Sequence, residues 1–187
     1  MEERDRLLHL VAARVLEDGV TSLTLRGLGR ATGSNNRMLL YYFGSKEALV
    51  GEALQCVGRE RFPTFESAWA RLADGDDPLR PALQRVWDAI ADPANLDFCR
   101  LFFEVFGQAA RAREGYGDLM EDIADWQRPA VARLRREGLG PAAAQARATE
   151  LVALWRGLQM TLISTGDPAH VHRVQAEALD AFCTRCR

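Results

Sequence analysis

A chain of 187 residues with 48% hydrophobic and 27% charged side chains holds enough apolar material to bury a sizeable core, which excludes a disordered chain. No run reaches the roughly 18 apolar residues that a membrane span needs, and the opening "MEERDRLLHL" lacks the apolar core of a secretory signal, so a cytoplasmic protein is expected. The net charge of −2 conceals an uneven distribution that matters more than the sum.

In chain order, Leu8, Val11, Ala12, Val15 and Leu16 recur at the 3.6-residue period, with Gly19 as a C-terminal stop, and predict a first helix. After "VTSLTL", Thr24 caps a helix running to about Ala31, Gly33 breaks it, and Asn35 caps another that ends near Tyr42, because Thr and Asn side chains accept from the free N–H groups of a first turn. A fourth helix starts at Ser45 and runs to about Arg61, before Pro63, and "DGDDP" at Asp74 to Pro78 marks a loop. Further helices are predicted at 79–91, 94–112, 117–137, 141–164 and 168–186, separated by Pro or Gly. With no alternating strand pattern or hairpin signal, the chain is expected to be all-α. Short N-terminal helices give way to long amphipathic ones, which divides the chain into 1–48 and 49–187.

The chemistry concentrates in the first part. Residues 21–46 contain Arg26, Arg30, Arg37 and the sole lysine, Lys46, with no acid, a local charge of +4 that leaves −6 on the rest. A basic window on an acidic body is the pattern of a phosphate-facing region on an otherwise solubilised protein. Leu25 and Leu28 face inward, Gly29 sits where two helices approach, Gly33 turns the chain and Leu39 enters the next core. This is the layout of a helix-turn-helix, whose second helix lies in a DNA major groove. Asn35, Asn36, Arg37 and Met38 then stand where side chains reach base edges: asparagine bonds adenine, arginine bonds guanine, and methionine offers apolar contact. In "LLYYFGSKEAL", Tyr41 and Tyr42 are placed to donate to phosphates, Phe43 anchors inward, and Lys46 faces the same phosphate as the N–H groups opening the next helix. Thr24 and Arg26, at the start of the first helix of the pair, complete the candidate DNA contacts.

The stretch "TLRGLGRATGSNNRMLLYYFGSKEAL", above all its aromatic-x-Phe-x-x-Lys-x-x-Leu ending, resembles the DNA-binding domain of TetR-type transcriptional regulators. Departures are Gly29, Ser34 and Leu40, where the family commonly has alanine, valine and tyrosine. The resemblance implies an N-terminal three-helix DNA-binding domain followed by a larger helical domain for ligand binding and dimerisation. It implies a repressor on a palindromic operator, released by a small molecule, and not an enzyme. The competing reading of "GLGRATG" as a nucleotide loop lacks the preceding buried strand and the acid about twenty residues on that such loops need.

In the second part, Phe98, Leu101, Phe102, Phe103, Val105 and Phe106 cover more than one face of a helix, which marks it as central. The family's cavity would fall in this part, with Phe98, Phe102, Phe106, Trp126, Trp155 and Gln159 as candidate ligand contacts and a largely apolar, aromatic ligand; Glu104 and Asp125 would favour a cation. The last two helices carry apolar stripes, Ala148, Leu151, Val152, Trp155, Leu158 and Leu162, then Val171, Val174, Ala178, Leu179, Phe182, Cys183 and Cys186, and could pair with their copies in a homodimer. That stripe assigns "CTRC" to packing, and four scattered cysteines do not make a disulfide scaffold. His9, His170 and His172 show no metal or catalytic spacing; no cofactor and no metal site are expected. The alternatives are an enzyme using the C-terminal pocket and a helical protein-interaction module.

Overall fold

The computed structural model describes residues 2–61, 63–112 and 115–186. Its helices are α1 (Glu3–Asp18), α2 (Leu25–Ala31), α3 (Asn36–Phe43), α4 (Lys46–Arg61), α5 (Pro63–Asp74), α6 (Leu79–Ile90), α7 (Leu96–Arg111), α8 (Gly117–Asp125), α9 (Arg128–Arg136), α10 (Pro141–Thr165) and α11 (Pro168–Thr184), with one 3-10 turn at Pro93–Asn95. The described residues contain no strand, as the absence of period-2 patterning requires.

Two helices depart from the sequence reading, both at prolines. Pro63 was expected only to end α4, yet it also occupies the first position of α5, where the missing N–H costs nothing and the fixed φ favours a helix. Phe65, Ala68, Trp69 and Leu72 then give α5 a buried stripe at helical spacing. The helix expected over 117–137 is two, α8 and α9. Pro129 lies in the first turn of α9, and in a continuous helix its ring would clash with the carbonyl four residues back.

The chain packs as two compact units, one of Met1–Phe62 with Asp97–Ala124, the other of Pro63–Leu96 with Asp125–Arg187. The first buries Leu7, Val11 and Val15 of α1 against Leu49, Val50, Ala53 and Val57 of α4, with Val105 of α7 in the same core. The second gathers Leu83, Val86 and Trp87 of α6, Leu134 of α9, Leu151 and Trp155 of α10, and Leu179 and Phe182 of α11. This grouping by packing differs from a cut after residue 48, because the stripe of α4 closes the core that α1 opens.

In the second unit, Leu158, Leu162, Leu179 and Phe182 are buried within the chain's own core. The stripes of α10 and α11 are therefore intramolecular, since each helix needs its apolar side covered before a partner is present. The remaining outward positions include Ala153, Gly157, Met160 and Ser164 on α10, and Val174 and Ala181 on α11.

Candidate DNA-contacting surface

Helices α2 and α3 are short, and caps hold them. Thr24 Oγ1 accepts from Gly27 N at 3.0 Å and Asn35 Oδ1 from Met38 N at 3.0 Å, satisfying first-turn donors that have no helical partner. Between them, Gly33 has φ +67°, and a Cβ on Gly29 would stand 3.1 Å from the Asn35 Cα and 3.3 Å from the Ser34 carbonyl oxygen. The glycine lets the turn fold against α2, with Ser34 N donating to Gly29 O at 2.8 Å. Leu28, Leu39 and Phe43 lock the pair into the first unit's core.

That anchoring fixes which side of α3 faces out. Asn36, Arg37, Leu40 and Tyr41 are exposed, Tyr41 by 77%. Asn35 is exposed too, but its Oδ1 is committed to the cap, which leaves its amide donor for a base or phosphate. Arg26 and Thr24 are also exposed, Met38 and Lys46 half-buried. Tyr42 packs against the core and touches Tyr41 edge-on at 5.2 Å, so its ring serves first as a support. Leu40 was not among the expected contacts. Its signal was an apolar residue beyond the core positions Leu39 and Phe43 in a helix this short.

After α3, Gly44 turns with φ +75°, and Ser45 Oγ accepts from Ala48 N at 3.0 Å to open α4 just where Lys46 lies. Arg4 of α1 ion-pairs with Glu52 of α4 at 2.5 Å and lies over the Phe43 ring at 4.9 Å. Glu104 of α7 was read as a candidate for a cationic ligand. Its Oε1 instead accepts from Val20 N at 3.0 Å, from Thr21 N at 2.7 Å and from the Thr21 hydroxyl. One carboxylate thus ties α7 to the loop leading into α2. Asp125 pairs with Arg128 at 2.5 Å on the surface.

The six candidate ligand residues fall into two groups. Phe98, Phe102 and Phe106 are in the first unit, where Phe102 and Phe106 stack at 6.0 Å and Phe106 alone is exposed. Trp126, Trp155 and Gln159 are in the second. There Phe65, Trp69 and Trp126 stack on one another in a three-ring cluster, Trp126 at 5.5 Å from Phe65 and 4.8 Å from Trp69 and those two at 6.0 Å, and Trp155 meets Trp69 edge-on at 5.9 Å. Arg156 lies over the Trp126 ring at 4.5 Å and donates to Gln159 Oε1 at 3.2 Å. Trp155 is 1% exposed, and its Nε1 has no hydrogen-bond partner among the described residues. Grooves of about 390 Å³ beside Arg71 and Asp92 and of about 580 Å³ beside Glu47 and Tyr116 include none of the six.

No protein-family model matches the chain. Over 89 residues it is 32% identical to the HTH-type transcriptional repressor NicS of Pseudomonas putida, a stretch covering 46% of this chain and 40% of that repressor's length. Solved structures align over nearly the whole chain. A TetR-family transcriptional regulator from Rhodococcus superposes with a TM-score of 0.73 at 19% identity, covering 98% of this chain and all of that one. The multidrug binding protein EbrR, crystallised with imidazole, superposes at 0.70 and 21% identity, covering 97% and 95%. Salmonella enterica GusR does so at 0.70 and 18% identity, covering 98% and 94%. The chain has the fold of the TetR-family regulators, an N-terminal helix-turn-helix followed by a helical domain.

Proposed function

We propose that this chain is a sequence-specific DNA-binding transcriptional regulator, a cytoplasmic dimeric repressor released from a palindromic operator by a small ligand, and not an enzyme. The observation that carries the reading is the outer face of α3. A capped helix of eight residues holds Asn36, Arg37 and Tyr41 outward while Leu39 and Phe43 are buried, a geometry suited to base edges and phosphates in a major groove. The similarity to a repressor and the shared fold support it. Arg37 and Asn36, with Asn35 and Met38, read bases; Tyr41, Tyr42, Lys46, Arg26 and Thr24 contact the backbone.

A second copy is needed to read two half-sites of a palindrome. The outward positions Ala153, Gly157, Met160 and Ser164 of α10 are spaced four, three and four residues apart and are mostly small, so a partner helix can approach closely along them. Met160, 58% exposed, and Val174 of α11 supply the apolar contact. The effector reading rests on Trp126, Trp155 and Gln159 with their neighbours Phe65 and Trp69. Stacked rings favour a flat, largely apolar molecule, and a hydrogen-bond acceptor on it would satisfy the buried Trp155 N–H. The Phe98, Phe102 and Phe106 group is the second candidate for that contact.

The deciding experiment is a mobility-shift titration of the purified chain against the DNA upstream of its own coding sequence. Retardation of one palindromic fragment that survives excess scrambled duplex is expected; binding that scrambled duplex abolishes equally would reject a sequence-specific regulator.

A further inference from the structure

We propose that His9, Cys56 and Glu60 form a binding site for a divalent transition-metal ion of the zinc class, bridging α1 and α4. Cys56 and Glu60 are four residues apart on α4, hence on one face of that helix, and His9 reaches them from α1. Their ligand atoms all lie within 4.8 Å of one another. His9 Nε2 is 2.8 Å from Glu60 Oε1, and Cys56 Sγ is 3.6 Å from the same oxygen.

The hydrogen bond on the far side of the imidazole shows what the trio requires. His9 Nδ1 stands 2.6 Å from the backbone carbonyl oxygen of Asp5. A carbonyl only accepts, so Nδ1 carries the proton, and in the neutral ring Nε2 is a lone pair. That lone pair faces a carboxylate oxygen, another acceptor, at hydrogen-bond distance. Two acceptors that close need a cation between them, either a proton on Nε2 or a metal ion. Orientation of the imidazole by a backbone carbonyl is also the support that metal-bound histidines ordinarily have.

The donor set narrows the ion. A thiolate, an imidazole and a carboxylate together suit zinc and cobalt, whereas magnesium and calcium take oxygen ligands alone. With bonds of about 2.0–2.3 Å, tetrahedral coordination places its ligand atoms about 3.3–3.6 Å apart. The His9 to Glu60 separation therefore has to open by about half an ångström, within reach of a rotamer adjustment of Glu60, and the widest pair, His9 to Cys56, has to close by about one, which a swing of the half-exposed His9 ring toward the sulfur supplies. Cys56 is buried, and the side chains of His9 and Glu60 are 49% and 48% exposed, so the sulfur is shielded while the ion enters from solvent. On binding, the thiol proton leaves to water, the metal–sulfur, metal–nitrogen and metal–oxygen bonds form, and a water completes the fourth position, with no change of oxidation state. Because the ligands span α1 and α4, the ion pins together two helices whose packing makes the first core.

Cobalt(II) is the probe, added to the full chain without DNA, so that the result does not depend on operator recognition. A sulfur-to-cobalt charge-transfer band saturating at one ion per chain, abolished by excess zinc, is expected, together with a higher melting temperature. His9→Ala changes an exposed side chain and leaves the core intact; it should weaken cobalt binding by more than about tenfold, the lower range of loss when even a ligand's outer partner is removed. Cys56→Ser should remove the band, and Cys186→Ala should leave it unchanged. Absence of the band in the unaltered chain, its full retention in His9→Ala, or its loss in Cys186→Ala would overturn the site.

Discussion

Arg37 and Lys46 carry equal charge and are expected to do different work. Arg37 is exposed on α3, where a fork of donors would meet base edges under the proposed reading, and Lys46 opens α4, where a point charge would meet a phosphate. Arg37→Ala should therefore relax base preference, at about 1–3 kcal/mol for the lost pairing. Lys46→Ala should weaken all sequences alike and lower the salt slope by about 0.9. Titrations of both variants on cognate and scrambled duplexes at several salt concentrations separate them, and equal losses on both duplexes would remove Arg37 from base reading. Glu104 offers a second test, of stability. It accepts from two backbone N–H groups and a hydroxyl in the loop before α2, so Glu104→Ala strands donors and should cost about 1–3 kcal/mol in urea denaturation. Glu104→Gln keeps an acceptor and should lose less. The Cys56 thiol, raised above its usual range by burial and then by Glu60, should react slowly with alkylating reagents in the native chain and rapidly once unfolded.

At the scale of the helix, α10 presents two faces with opposite expectations. Leu158 is in the core, and Leu158→Ala should cost about 2–5 kcal/mol of stability through a cavity, whatever the oligomeric state. Met160 is exposed within the chain, so Met160→Glu should change the stability of a single subunit by no more than about 0.5 kcal/mol. At a dimer seam the same glutamate would be buried twice, and like charges would meet. Sedimentation of Met160→Glu should show folded monomer with weakened operator binding, while a folded variant that stays dimeric would place the seam elsewhere.

For the whole molecule, the proposed repression and release would require that effector and operator compete through shape. A tenfold loss of operator affinity needs about 1.4 kcal/mol of differential effector binding between two conformations. Glu104 connects α7 to the loop before α2 within one compact unit, so a displacement of α7 would reach α2 and α3 through that carboxylate. Thermal-shift screening of flat aromatic compounds beside sugars should find stabilising hits among the aromatics, and those hits should release the operator. Trp126→Ala should abolish both effects, since it removes the ring that stacks on both Phe65 and Trp69 and leaves the cluster one face short. Release by sugars alone, unaffected by Trp126→Ala, would make the aromatic cluster an ordinary core.

By itself the sequence determined the local features: the all-helical pattern, the caps at Thr24 and Asn35, the helix start at Ser45, the turns at Gly33 and Gly44, and the order of short helices before long ones. Each depends on contacts within a few residues, where spacing and side-chain chemistry decide the outcome. The tertiary structure decided which apolar surface meets which. Periodicity shows that Leu158 and Phe182 are covered but cannot say by what, and here the cover is the chain's own second core. Pro63 and Pro129 are helix openers because the flanking stripes find partners, which a breaker rule applied to the residue alone does not see. The most distant relations were the least legible. Glu104 meets Thr21 across 83 positions of sequence and His9 meets Glu60 across another helix pair, juxtapositions that no local pattern encodes and that appear only when separate helices pack.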